Sequence, residues 1–146
     1  MVHALRQARR VLKSDGYLLD LRPAPVHRRV GLESAGSIHQ LAVMEEEFDD
    51  DYKANQAVEQ IVDAGLLKLS TRIRFDCTRR MDRFIDFQRW LDEYIRLTKV
   101  QRPERLVEKI KDGLRTRRAS AASHEGKIRI VVLGPVDLRV LLKQIG

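Results

Sequence analysis

The arginines are the residues of this chain whose type and spacing most suggest a functional surface. They are densest in one patch formed by Arg72, Arg74, Arg79, Arg80 and Arg83. Further basic side chains that could extend a phosphate-binding surface follow at Lys99, Arg102, Arg105, Arg115, Arg117 and Arg118. Acidic residues are interleaved with them, which is typical of solvated helix faces, and only 5% of residues are aromatic. Nucleic-acid binding is therefore an alternative that the pattern allows without favouring.

Asp20 is the most suggestive carboxylate. It lies in the apolar run Tyr17–Leu21, and Arg22 and Pro23 follow it. Open α/β sheets bind ligands at the carboxyl ends of their strands, so Asp20 could orient a ligand. The commoner arrangement is a carboxylate that is satisfied by a neighbouring arginine or by backbone donors. We expect the commoner arrangement, with Arg22 as the partner.

Metal and nucleophile motifs are weak in this sequence. His27 and His39 could face each other across a hairpin, but two histidines without a third ligand are more often exposed side chains. The acidic run at 45–51 lacks the alternating ligands and central Gly of a calcium loop. Cys77 is on the apolar face of its predicted strand, so we expect a buried thiol. We assign no catalytic, cofactor-binding or metal residue, and the candidate contacts to a ligand or partner are Asp20, Arg22, His27, Arg72, Arg74, Arg79 and Arg80.

Length and composition predict one domain. The chain has 146 residues, of which 43% are hydrophobic and 34% charged, and a formal net charge of +7. Its single cysteine excludes an intramolecular disulfide, which favours a cytoplasmic location. The apolar runs are far shorter than the about 18 residues of a membrane span, and the N-terminal sequence lacks the apolar region of a secretory signal. We therefore expect no membrane partner.

The elements that would position these residues begin with a helix over 2–14, ended by a left-handed Gly16. The run Tyr17–Leu21 predicts a strand buried on both faces, and prolines stop it. The alternation in 27–44 predicts a hairpin with a turn at Ser34–Ser37. A helix with Asp49 or Asp50 as its cap then ends at Gly65, and it is followed by a strand over 67–77.

The second half of the chain predicts two helices between two long strands. One helix has an apolar stripe from Phe84 to Ile95, and the other begins near Pro103. A loop covers 116–127, and two strands, 128–133 and 136–142, close the chain around Gly134-Pro135. The last long strands should pair antiparallel. The segments of the single domain 1–146 are accordingly a helix–strand 1–25, a hairpin 27–44, a helix–strand 50–79, a helical insertion 82–118 and closing strands 127–143.

The stretch ALRQARRVLKSDGYLLDLRP, residues 4–23, resembles the late segment of class I S-adenosylmethionine-dependent methyltransferases. In that family a helix ending in a phrase like R-V-L-K-P-G-G leads into the fifth strand of a seven-stranded sheet. Ser14 and Asp15 stand where the family usually has Pro and Gly, whereas Gly16 is kept. The resemblance implies a partial Rossmann-like α/β sheet closed by a helix and an antiparallel strand pair. It also implies a substrate-recognition insertion before the final strand, where residues 82–117 lie.

The resemblance implies that the cofactor half of the family is missing. The family binds S-adenosylmethionine in its first half, beside a Gly-rich turn after the first strand. None of the eight glycines here forms a G-x-G. We therefore expect a C-terminal half that binds no cofactor alone and serves as an interaction module, with its apolar strand edge covered by homodimerisation through Leu18–Leu21 or the 27–44 hairpin. The alternatives are half of a split methyltransferase completed by a partner, and a basic nucleic-acid-binding protein.

Overall fold

The computed structural model describes residues 1–98, 100, 103–120 and 127–144, so Lys99, Arg102 and His124 lie outside the described residues. The fold is mixed α/β. Its elements are α1 (Val2–Val11), β1 (Tyr17–Pro23), β2 (Arg28–Ser34), β3 (Ser37–Met44), α2 (Asp49–Asp63), β4 (Leu67–Met81), α3 (Phe84–Thr98), α4 (Glu104–Ser120) and β5 (Arg129–Lys143).

The five strands form one sheet in the order β1-β5-β2-β3, with β4 also paired to β5. The pairs β1–β5, β2–β3 and β2–β5 are antiparallel. The predicted α/β class is therefore confirmed. Antiparallel pairing is not typical of Rossmann-like sheets, whose strands are mostly parallel.

Contacts divide the chain into two compact units. The first unit contains Met1–Val26, Phe48–Asp76 and Pro135–Gly146, and the second contains His27–Glu47 and Cys77–Gly134. Each of the two long strands, β4 and β5, contributes residues to both units.

The first unit begins with α1, which ends differently from the prediction. Its C-cap, Leu12, has extended backbone angles (φ −68°, ψ 141°), and Gly16 is not left-handed. The chain leaves the helix at Leu12 because the backbone simply becomes extended there, so the predicted glycine stop at Gly16 is wrong. Gly65, by contrast, ends α2 with φ +66°, as predicted.

Helix α2 has Phe48 at its N-cap and no side-chain capping bond, so the predicted cap by Asp49 or Asp50 is wrong. These residues lie in the first turn, where acidic side chains favour the helix dipole. The buried apolar residues of α1, α2 and the adjoining strands form the core of the first unit: Leu5, Ala57, Val58, Ile61, Leu67 and Leu141.

Strand β1 is not buried on both faces, contrary to the prediction. Leu18 packs against the core of the first unit, whereas Tyr17, Leu19 and Leu21 are 61%, 56% and 60% exposed. The apolar composition of the run predicted two covered faces. In the structure only alternate side chains meet a packed layer, because helices cover one face of the strand.

The second unit contains the predicted hairpin. β2 and β3 turn through Ala35 and Gly36, whose φ angles of 49° and 77° are those of a type I′ turn. At Gly31 the register shifts, and a Cβ there would lie 2.4 Å from the carbonyl oxygen of His39. This position therefore requires glycine, since only a residue without a side chain allows the two strands to approach so closely.

Helices α3 and α4 supply the core of the second unit together with the hairpin and the strands. Its buried residues are Val30, Leu32, Met44, Met81, Phe87, Leu91, Leu106, Ile110, Ile130 and Val132. The predicted apolar stripe of α3 is confirmed by the burial of Phe87 and Leu91. Helix α4 continues to Ser120, so the loop predicted from Thr116 is wrong up to that residue, and the remainder, 121–126, lies outside the described residues.

The closing part of the chain is one strand and not two. β5 runs through Gly134-Pro135 without a break, and its pairing partner changes there. It pairs with β2 over Arg129–Leu133 and with β1 over Val136–Leu142. Proline has no N–H to donate to a ladder, which suits a position between two partners. The predicted pairing of the two long strands, β4 and β5, is confirmed.

Candidate functional site

Polar side chains of the first unit gather on the side of the sheet that faces its helices. Four elements contribute to this group. β1 and β5 pair with Asp20 opposite Arg139 and Arg22 opposite Asp137. The adjoining strand β4 adds two arginines, and α2 adds an amide. We call this group the Arg–Asp cluster: Asp20, Arg22, Asn55, Arg72, Arg74, Asp137 and Arg139.

Asp137 is the buried centre of the Arg–Asp cluster. Its Oδ2 accepts a hydrogen bond from Arg72 Nη2 at 2.8 Å. Arg74 donates from Nε to Oδ1 at 2.7 Å and from Nη2 to Oδ2 at 3.0 Å, which is a bidentate contact. The hydrogen bonds of Arg74, followed by those of Arg72, hold the pKa of the Asp137 carboxyl far below its usual range, although burial opposes this. Asp137 is therefore an anion at every physiological pH.

Arg139 is also buried, with 5% of its surface exposed, but it is less well compensated. Its Nη2 donates to Asn55 Oδ1 at 2.7 Å, and its Nη1 lies 3.9 Å from Asp20 Oδ2. Burial lowers the pKa of Arg139, and the charges of Arg72 and Arg22 lower it further. Asp20 itself accepts a closer contact, 2.5 Å, from Arg22 Nη2. The expected pairing of Asp20 with Arg22 is thus confirmed.

The structure brings together four of the seven predicted contact residues, namely Asp20, Arg22, Arg72 and Arg74. The other three lie in the second unit. Arg80 pairs with Glu33, its Nε lying 2.8 Å from Glu33 Oε2, and Arg79 has no ion pair with any described residue. His27 accepts a hydrogen bond at Nδ1 from the backbone N–H of Glu46. The predicted basic patch is therefore divided among three acidic partners, Asp137, Glu33 and Asp86.

Three further expectations about reactive residues can be compared with the structure. His39 pairs with Leu32 across the hairpin, so His27 and His39 do not face each other. Cys77 is exposed, and the expectation of a buried thiol is wrong because its strand has no packed layer over that position. No group of three or more His, Cys, Asp and Glu side chains within the described ranges could hold a metal ion.

A buried polar contact in the second unit was missed from the sequence. Glu46 accepts hydrogen bonds from both Arg28 Nη1 and the Tyr94 hydroxyl, and the Arg28 guanidinium lies 4.8 Å from the centre of the Tyr94 ring. Burial, followed by the Glu46 carboxylate, raises the pKa of Tyr94 to about 12. From the sequence, the acidic run at 45–51 predicted only favourable charges at the start of a helix. In the structure, Glu46 of this run connects the hairpin to α3 through its contacts with Arg28 and Tyr94.

The opposite side of the first unit's sheet is apolar and open. Tyr17, Leu19 and Leu21 of β1 point away from the helices because Leu18 faces the core. Ile73 and Phe75 of β4 are also exposed, at 49% and 45%. These five side chains are all exposed, and we call them the open face. Contiguous apolar surface of this kind marks interaction sites on folded proteins.

The outer edge of β1 has unpaired backbone groups beside the open face. Lys143 N–H donates to Gly16 at 3.1 Å and Ala24 N–H donates to Pro135 at 2.9 Å, just beyond the two ends of β1. Because bonding alternates along antiparallel strands, the backbone groups of Tyr17, Leu19 and Leu21 point away from β5. In the part of the chain that the structure describes, no strand pairs with that edge.

Comparisons with known proteins identify no relative of this chain. Searches against protein-family models, curated proteins and solved structures find no match for this chain. None of the helices within the described residues is long and apolar enough to cross a membrane. The chain's own geometry, chiefly the Arg–Asp cluster and the open face, is therefore the basis for a functional proposal.

Proposed function

We propose that this chain is a methyltransferase-like interaction module that transfers no methyl group by itself and forms a homodimer through β1. The observation that carries the proposal is the combination, in one strand, of exposed apolar side chains and an unpaired backbone edge. Exposed apolar edges associate with other strands unless they are protected by charges, prolines or a covering element. The proposed partner is a second copy of this chain.

The order of elements supports the methyltransferase-like part of the proposal. Helix α1, Gly16 and β1 follow the helix–Gly–strand phrase of the family, and α2 then leads to the long pair β4 and β5. The second unit occupies the two stretches between these elements, including the place where the family carries substrate-recognition insertions. The pairing of β4 with β5 is the counterpart of the family's closing strand pair.

The residues present do not fit the cofactor of that family. A cofactor cradle needs glycines that leave room at the end of a strand. Gly36 is at the tip of a hairpin, and Gly65 follows α2. Gly16 and Gly31 are closed off, because a Cβ would lie 3.0 Å from the Lys13 oxygen and 2.4 Å from the His39 oxygen, respectively. We therefore derive no methyl-transfer step for this chain.

Charge complementarity favours a second copy as the occupant of the β1 edge. In an antiparallel pair with its two-fold axis at Leu21, the outward N–H and C=O of Leu21 bond reciprocally between the copies. The same register sets Asp20 of one copy opposite Arg22 of the other, and opposite charges across strands are favourable. Among the described strands, β3 and β4 also have an edge without a partner; β3 mixes the exposed apolar residues Ile38 and Val43 with Ser37, His39 and Gln40, so it is less uniformly apolar than β1.

The mass in solution tests the dimer. Light scattering at tens of micromolar should give twice the chain mass of 16.9 kDa. Leu21→Lys, which places a charge on the two-fold axis, should give a monomer. Val11→Lys is the matched control, because Val11 is an equally apolar and more exposed residue of α1 that is not in β1, and it should remain a dimer. A monomeric unmodified chain, or a dimeric Leu21→Lys variant, would overturn the interface.

Calorimetric titration with S-adenosylhomocysteine tests the catalytic part separately. We expect no heat of binding. Micromolar binding would overturn the non-catalytic assignment and favour the alternative of a split enzyme whose site is rebuilt by a partner. The nucleic-acid alternative is weakened by the pairing of Arg72 and Arg74 with Asp137 and of Arg80 with Glu33. Nucleic-acid binding would be shown by retention of the chain on single-stranded DNA, with an affinity that falls steeply as the salt concentration rises.

A further inference from the structure

We propose that the Arg–Asp cluster is a binding site for the phosphoryl group of a small molecule. The cluster is on the helix-facing side of the first unit's sheet, and none of its residues belongs to the open face, although it shares Asp20 and Arg22 with the β1 edge that carries the dimer proposal. The tests below change Arg72 and Asn55, which are not in β1, so the two proposals can fail independently.

The Arg–Asp cluster has an excess of positive charge. The Arg–Asp cluster contains four guanidinium groups, on Arg22, Arg72, Arg74 and Arg139, and only two carboxylates, on Asp20 and Asp137. Asp137 already accepts three hydrogen bonds from Arg72 and Arg74. Two positive charges are thus left without a carboxylate of their own. A phosphoryl group with two negative charges would balance them.

The environment of Arg139 also favours an added anion. This buried guanidinium has the neutral amide of Asn55 at 2.7 Å where a carboxylate would be expected, and its nearest carboxylate oxygen is 3.9 Å away on Asp20. A buried charge with a distant counter-ion is costly, and its neighbours here, Arg72 and Arg22, have the same sign. An oxyanion beside Arg139 would relieve this repulsion.

The exposure of the arginines also favours a ligand. The side chains of Arg72 and Arg74 are 47% exposed, whereas only 6% of the Arg139 side chain is exposed. Guanidinium groups present N–H pairs that match the oxygens of a phosphoryl group. Arg72 and Arg74 are therefore the guanidinium groups that a ligand would meet first from solvent. None of the cluster residues is aromatic, so a stacked nucleobase is not part of the proposed ligand.

Calorimetric titration with inorganic phosphate and with pyrophosphate, at constant ionic strength in chloride, tests the site. Arg72→Gln should weaken the affinity about tenfold, since a charge-assisted bond to an oxyanion is lost. Arg79→Gln is the matched control, because Arg79 is on the same strand and has no ion pair with any described residue, and it should leave the affinity unchanged. Absence of phosphate binding, or equal weakening by both variants, would overturn the proposal.

A second variant tests the missing counter-charge without removing an arginine. Asn55→Asp would place a carboxylate at the position that now lies 2.7 Å from Arg139. We expect a higher melting temperature in chloride and loss of the stabilisation by phosphate. Gln56→Glu adds the same charge to the exposed side of α2 and should do neither. A lower melting temperature for Asn55→Asp, or an unchanged response to phosphate, would overturn the proposal, because Arg139 would then need no further negative partner.

Discussion

The two units differ in where they keep their apolar residues. The second unit encloses them between α3, α4 and the sheet, and its ion pairs, such as Arg80–Glu33 and Lys127–Asp82, lie at the surface. The first unit has a smaller apolar core, an ionic cluster inside and apolar side chains outside. The arrangement of apolar and ionic residues is thus inverted between the two units.

Strand β5 shows the difference along a single element. Its first half contains three consecutive buried residues, Ile130, Val131 and Val132, and this pattern means that both faces of the strand are covered. Its second half buries only alternate residues, Asp137, Arg139 and Leu141. The period of burial along a strand therefore indicates how many of its faces are covered, whereas apolar composition alone does not.

The largest expected effect would follow from opening the core of the second unit. Phe87 is fully buried, so Phe87→Ala should lower the free energy of unfolding by about 4 kcal/mol. Leu21→Ala, on the open face, should cost less than about 1 kcal/mol in dilute solution. Urea titrations of both variants, followed by the fluorescence of Trp90, measure these changes. Equal costs would contradict the comparison of a covered unit with an open one.

The hairpin of the second unit offers the next largest effect. Gly31→Ala should cost about 3 kcal/mol, because the new Cβ would collide with a backbone carbonyl that cannot move alone. Gly36→Ala is the control at the tip of the same hairpin, where a Cβ has open space and meets only the penalty of a positive φ, about 1 kcal/mol. Thermal unfolding would separate the two, and a smaller cost for Gly31→Ala would disprove the close approach.

The ionic interior of the first unit predicts a dependence on acid. Because the folded-state pKa of Asp137 is lowered, its contribution is present above the unfolded pKa of about 3.9 and is lost as the pH falls below it. Asp137→Asn should cost about 2 kcal/mol at neutral pH and should flatten the decline in stability below pH 4. Stability curves at several pH values measure this. Glu33→Gln, at an exposed pair, should cost less.

The smallest effect concerns the polar contact of the second unit. Since the folded pKa of Tyr94 is raised to about 12, the contribution of its neutral hydroxyl is present below pH 10 and is lost between pH 10 and 12. Tyr94→Phe should cost about 1 kcal/mol at neutral pH and should remove that alkaline decline. In an ultraviolet titration of this variant, the tyrosine ionisation that occurs at the highest pH should also be absent. Persistence of that ionisation would assign it to another tyrosine.

Much of the fold could be predicted from local patterns. The hairpin followed from alternation with a small-residue turn, and α3 followed from its apolar stripe. The covering of each face could not be predicted, because it depends on distant elements: Tyr17, Leu19 and Cys77 look buried from composition but meet no packed layer. The pairing of Asp20 with Arg22 was local and was found.

The centre of the Arg–Asp cluster was missed for the same reason. Asp137 and Arg139 were included only in a closing strand, and their partners are more than sixty positions away in the chain. One signal was available: both charges alternate with Leu141 on the same face of an apolar strand. Charged side chains that share a strand face with a core residue need partners. This rule could have indicated that arginines elsewhere in the chain pair with Asp137.

The pairing of β1 with β5 also has a consequence for synthesis on the ribosome. Tyr17 pairs with Leu142, which is translated 125 residues later. At about 5–20 residues per second, β1 waits roughly 6–25 seconds for its partner strand. Throughout that interval an apolar segment with unpaired amides is exposed on the nascent chain. Proteins that shield emerging polypeptides would therefore bind β1 during this interval, and a pause in translation between β1 and β5 would prolong its exposure.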